Sequence, residues 1–94
     1  MSPANPDRRH MAERICEAAA DRAGILDAPV LMSPTPRFSS AKHVAAGAMR
    51  ALGYTYASIA IYLGYSEVPT AVGACNKADP SDVAAVLHAV EVRR

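Results

Sequence analysis

The side chains in this chain with chemistry to offer are few, and they sit close together in the sequence. Ser66, Glu67, Thr70, Asn76 and Lys77 fall within a dozen residues, and Lys42, His43 and Arg50 lie just upstream. If residues 67–77 form a helix, its outward face presents Pro69, Thr70, Gly73, Asn76 and Lys77, all small or polar. Gly73 weakens a helix, and its missing side chain lets another surface approach the backbone. Glu67 has two available uses. It can accept from a cytosine amino group in a major groove, or it can complement the helix dipole. The unpaired N–H groups of the first turn suit a phosphate. Arg37, Lys42, Arg50 and Lys77 would hold phosphates, a role that positions without reading sequence. These parts suit the recognition of double-stranded DNA, although many helical hairpins of this shape bind nothing. Ser66, Glu67, Pro69, Thr70 and Gly73 form the base-facing set.

Other chemistries lack their parts. Cys16 and Cys75 are too far apart to form a CxxC metal pair, and two cysteines give no disulfide framework. Both read as small buried apolar residues. His10, His43 and His88 have no HxxxH spacing, so no metal site is expected. No GxxxxGK[ST] loop or GxGxxG turn is present to cradle a nucleotide, and no cofactor is expected. His43 and Glu67 could approach each other from different helices, but no nucleophile surrounds them. The chain does not read as an enzyme and has no evident small-molecule substrate. The opening MSPANPDRR lacks an apolar stretch of the secretory kind. The longest uncharged run, residues 51–66, is broken by Gly53 and Gly64 and is shorter than the ~20 residues a membrane span needs. A soluble cytoplasmic protein with no membrane partner is the expectation.

These residues must be positioned by helices, because no segment alternates with period two. The chain has 94 residues, of which 51% are apolar, and 20 of the apolar residues are alanine. That composition suits one small domain of closely packed helices with a light core. A leader over residues 1–6 precedes a single domain over residues 7–94. Asn5 caps a first helix that starts at Pro6 and runs to about residue 22, with Met11, Ile15, Ala18 and Ala19 inward and Gly24 as the stop. A short helical turn starting at Asp27 and ending at Met32, and a proline-bearing connector over 33–38, follow. Ser39 or Ser40 caps a second long helix to Leu52. Its inner face is Ala41, Val44, Ala45, Ala48 and Leu52, and its outer face is Lys42, His43, Ala46 and Arg50. Thr55 caps a third helix over 56–63, with Ile59, Ala60 and Leu63 inward. Gly64, Tyr65 and Ser66 make a tight turn. The fourth helix has Val68, Ala71, Val72 and Cys75 inward. Asp79 and Pro80 start a last helix with Val83, Val86, Leu87 and Val90 on its core face. The expected fold is an all-α compact bundle of about five to six helices containing a helix-turn-helix over residues 55–78.

Charge is distributed to match. The whole chain carries a net charge of only +1. Residues 1–27 are net −1 and residues 79–94 are net −1, whereas residues 28–78 are net +3. The positive potential therefore falls on the hairpin and the helix before it.

Residues 40–78 read SAKHVAAGAMRALGYTYASIAIYLGYSEVPTAVGACNKA. This stretch resembles the C-terminal DNA-binding domain of the bacterial replication initiator DnaA, in the Trp-repressor-like superfamily. Ala41-Lys42-His43-Val44-Ala45 stands where that family has ARQIA. Gly64-Tyr65-Ser66-Glu67-Val68-Pro69-Thr70 stands where it has GGRDHTT, and Ala74-Cys75-Asn76-Lys77 where it has ACRK. The resemblance implies that Lys42 takes the role of an arginine at DNA, and that Glu67 and Thr70 belong to the base-reading segment. Ser66, Val68 and Pro69 replace an arginine, a histidine and a threonine. A good base contact is worth ~1–3 kcal/mol, so these departures imply a weaker or different sequence preference. The family's nucleotide-binding module has no counterpart here. Free-standing domains of this kind resemble regulators of bacteriophages and gene transfer agents, which implies a transcriptional regulator. So few cations imply help from a second copy or a protein co-regulator. The alternative is a helical adaptor that keeps the fold, binds protein through Tyr54, Tyr56, Tyr62 and Tyr65, and has lost DNA.

Overall fold

The computed structural model describes residues 6–24 and 39–92. The leader up to residue 5, the expected turn over 27–32, the connector and Arg37 lie outside the described residues. Five helices are described: α1 (Pro6–Ala23), α2 (Ser39–Ala51), α3 (Tyr56–Leu63), α4 (Val68–Lys77) and α5 (Pro80–Val92), with no strand among them. The chain is all-α, as its periodicity requires.

Local chemistry sets the ends. Thr55 is extended (φ −74°, ψ 154°), and its side chain accepts from the Ser58 amide, which starts α3. Gly64 stops α3 with φ 73°, a left-handed conformation that favours glycine. The Tyr65 amide then donates to Ala60 O at 2.8 Å, the six-to-one bond of a Schellman turn. Asp79 accepts from the Ser81 amide at 2.8 Å and starts α5, with Pro80 in the position that needs no N–H partner.

α2 is the centre of the molecule and packs against α1, α3, α4 and α5. A helix surrounded in this way has no true outer face, and two expectations fail for that reason. Ala46 and Lys42, expected outside, are buried, and Met49 joins them in the core. Leu52, expected inside, is 46% exposed because it lies past the end of α2. Cys16, Ile15, Ala18 and Ala19 are buried as expected, and Cys75 is partly buried. Eleven of the nineteen buried apolar residues are alanine, which lets helix axes come close. The tightest approach is at Gly47, where a Cβ would stand 2.8 Å from both Ala78 Cβ and Val83 Cγ2.

α1 and α5 run antiparallel. Arg14 donates to Val90 O at 3.1 Å, and Arg22 pairs with Asp82 at 2.6 Å, so residue numbers rise on one helix as they fall on the other. This pair closes the bundle behind α2 and leaves α3, the turn and α4 on their own side of it.

Candidate functional site

The hairpin that presents the candidate site is built from α3, residues 64–67 and α4, with the two helices packed together. Only Ala71 and Ala74 of α4 are fully buried. At 100° per residue, those two positions put Pro69 and Asn76 at the middle of the opposite face, with Gly73 about 50° to one side and Thr70 and Lys77 beyond it along that edge. Ser66, Glu67, Pro69, Thr70, Asn76 and Lys77 are all exposed, and Gly73 is half-buried. A Cβ added at Gly73 would meet nothing within 4 Å. No packing inside the described residues therefore calls for a glycine there, although it weakens the helix by ~1 kcal/mol relative to alanine.

Glu67 is the N-cap residue of α4 in extended geometry (φ −135°, ψ 144°), and its carboxylate makes no capping hydrogen bond. The turn is thus one residue longer than the expected Gly64-Tyr65-Ser66. Val68, expected to face the core, is 44% exposed. It occupies the first helical position, where the chain is still arriving from the turn and the inward stripe has not begun. The run from Ser66 to Thr70 is exposed without interruption.

The basic residues are placed unequally. Arg50, in the last turn of α2, is exposed, and its guanidinium carbon lies 4.4 Å from the centroid of the Tyr56 ring. One of its nitrogens donates to Tyr54 O at 2.9 Å. The stack and the hydrogen bond hold the planar fork in one orientation, with donors left over for an anion. Lys77 ends α4, about 15 Å along the helix from Glu67. It borders a cleft of about 520 Å³ shared with Ser40, His43, Asp79 and the Arg22–Asp82 pair. Burial, then the Lys77 charge, holds the His43 imidazole below its ordinary value. Lys42 differs most from expectation. It is 2% exposed, with its ammonium 5.5 Å from the centroid of Tyr65, and burial lowers its pKa against a smaller opposing effect of Cys16. The structure thus leaves Ser66, Glu67, Pro69 and Thr70 exposed around the start of α4 and Gly73 half-buried, puts Lys77 at the far end of α4 and Arg50 on a separate helix, and withdraws Lys42.

Sequence reasoning missed the Arg50–Tyr56 stack, although the six-residue spacing across Gly53 was there to suggest a turn that folds one onto the other. It also missed Ile61, which is 77% exposed on α3. Among the tyrosines, Tyr54 is buried at 5.9 Å from Tyr62 in an edge-to-face pair, while Tyr56, Tyr62 and Tyr65 are partly buried. Among the described residues no group of three or more His, Cys, Asp or Glu side chains could hold a metal ion, and no helix is long and apolar enough to cross a membrane.

The fold and its outward hairpin define a small all-α helical bundle. No protein-family model, curated protein or solved structure matches the chain.

Proposed function

We propose that this protein binds double-stranded DNA through the α3–α4 hairpin, with α4 in the major groove, and acts as a bacterial transcriptional regulator. Gly73 carries the reading. A half-buried glycine beside the exposed centre of the helix face, with open space where a Cβ would stand, has a destabilising cost and no packing reason inside the described residues. Close approach to another backbone accounts for it. Around it Glu67, Thr70 and Asn76 offer groups that pair with base edges, Glu67 with a cytosine amino group and Asn76 with adenine. Among the described residues Arg50 and Lys77 are the exposed cations that would meet phosphates, Arg37 would add a third from outside them, and Ser66 and Pro69 border the contact. So few phosphate contacts bring a second copy or a protein co-regulator on the same DNA into the proposal. The likeness to the DnaA domain supports the same reading and points to phage or gene-transfer-agent control in the cytoplasm.

The test is fluorescence anisotropy of the purified chain against a random-sequence duplex over a range of salt. Binding should weaken as salt rises, with a log–log slope of about −2 to −3 per chain for two or three phosphates. An absence of binding at low salt would refute the proposal.

A second reading has its own support. Ile61 at 77% exposure and Val68 at 44% are large apolar groups in water, and both belong to the hairpin. An adaptor that docks a protein on this hairpin would use them. Under that reading Ile61→Ser abolishes partner binding while the chain ignores DNA.

A further inference from the structure

Lys42 is the one charged side chain in the buried class among the described residues, at 2% exposure. Lysine is almost never fully buried unless something compensates it. A methionine or leucine would fill the same space without the cost of desolvating an ammonium, and the charge has compensating contacts, among them the Tyr65 ring.

The Tyr65 contact bears on the turn. α4 packs on α2 and α3, and it begins without a side-chain cap, because Glu67 makes no capping hydrogen bond and Ser66 is exposed. Tyr65 is held at both ends. Its backbone N–H is bound to Ala60 O at 2.8 Å, which fixes it to α3. Its ring lies 5.5 Å from the Lys42 ammonium, which fixes it to α2. A cation within ~6 Å of a ring centroid is attracted by the ring quadrupole, and more strongly when water is excluded.

We propose that Lys42 is a positioning residue: its buried ammonium on the Tyr65 ring fixes the turn between α3 and α4, and so sets how Glu67, Pro69 and Thr70 project. Lys42 touches no phosphate. The consequence for base reading rests on the DNA-binding function proposed above, but the contact itself does not.

Two measurements test this, and they fail independently. The first is the NMR spectrum of the free protein. The Lys42 ε-methylene protons should be shifted upfield by the Tyr65 ring. Tyr65→Phe, which keeps the π face, should retain the shift, and Tyr65→Leu should lose it. Unshifted Lys42 protons in the unaltered protein would overturn the proposal. The second is the salt dependence of DNA binding. Lys42→Met, checked for helix content, should leave the log–log slope unchanged while the preference for a selected sequence over a random one falls roughly tenfold, the size of one lost base contact. Tyr65→Leu should do the same, and Tyr65→Phe should restore the preference. A slope reduced by ~0.9 in Lys42→Met would make Lys42 a phosphate contact and overturn the proposal. If the unaltered protein binds no DNA, the proposed function fails, and the NMR shift alone decides whether Lys42 holds the turn.

Discussion

Two glycines in the middle of helices make opposite demands, and one substitution at each gives the sharpest test of the packing. Gly47 in α2 faces Ala78 Cβ and Val83 Cγ2 at 2.8 Å from where its own Cβ would be, whereas Gly73 in α4 faces open space. Alanine gains ~1 kcal/mol of helix propensity at either position. At Gly73 nothing opposes that gain, so Gly73→Ala should stabilise the fold by about 1 kcal/mol and raise Tm by ~4–8 °C for a domain of this size. At Gly47 the new methyl must be accommodated. Val83 can change rotamer, but Ala78 Cβ moves only with its backbone. Overpacking of this kind costs ~1–3 kcal/mol, so after the propensity gain the expected net loss is about 0–2 kcal/mol. Thermal unfolding followed by circular dichroism should separate the two variants by roughly 4–24 °C, with Gly73→Ala the more stable. A shift of both variants in the same direction would refute the account of how α2 meets the α4–α5 junction. The Gly73 variant carries a second readout. It should bind DNA more weakly than the less stable parent, because the added methyl stands between the helix and the groove.

Other perturbations have clear signs. Burial, with Glu13 and Glu17 adding to it and Lys42 opposing, pushes the Cys16 thiol up from 9.0 to about 12. The unfolded chain gives up that proton above pH 9 and the folded one keeps it, so stability should fall by ~1.4 kcal/mol per pH unit from pH 9 towards 12. Tyr65, pushed up to about 12 by burial and by Cys75, adds to the loss above pH 10. The lowered pKa of Lys42 offsets part of it, since its buried charge is relieved there. Denaturant unfolding at several pH values should show the decline, and Cys16→Ala should flatten it. Thr55→Ala removes the hydroxyl that accepts from the Ser58 amide and should cost ~1 kcal/mol, measured as a lower denaturation midpoint. Arg50→Gln should lower the salt slope of DNA binding by ~0.9, the signature of one lost phosphate contact.

The sequence revealed most where a single residue type decides the local geometry. Thr55, Gly64, Asp79 and Pro80 each mark a helix end at the expected place, and the bounds of α3 and its buried Ile59, Ala60 and Leu63 were legible, though exposed Ile61 was not. It revealed least where burial depends on how many neighbours a helix has. α2 looks amphipathic in sequence, with Lys42, His43, Ala46 and Arg50 on one side. Its four-way packing turns Lys42 and Ala46 inward and leaves only Arg50 of that group fully exposed. Alanine is the reason the pattern misleads: it fits inside or outside, so a helix made mostly of alanine carries little information about its own orientation. Val68 misled differently. It continues the inward stripe in sequence, but the stripe starts only once the turn has ended. For the candidate site, the outward face of α4 was readable from Pro69, Gly73 and Asn76. The split of the basic residues into exposed Arg50 and Lys77 and withdrawn Lys42 needed three-dimensional contacts between helices distant in the chain.

The clasp between α1 and α5 bears on the order in which the molecule assembles. The Arg14–Val90 contact joins residues 76 apart, so making it closes a loop of nearly the whole chain. Closure entropy grows with loop length, and the contacts of α3 with its neighbours α2 and α4 close far shorter loops. The hairpin and α2 can therefore gather first, with the two chain ends joining last. In reverse, the clasp is the natural first seam to open. Amide protons of α1 should then exchange with solvent before those of α2, as one cooperative unit at less than the free energy of global unfolding.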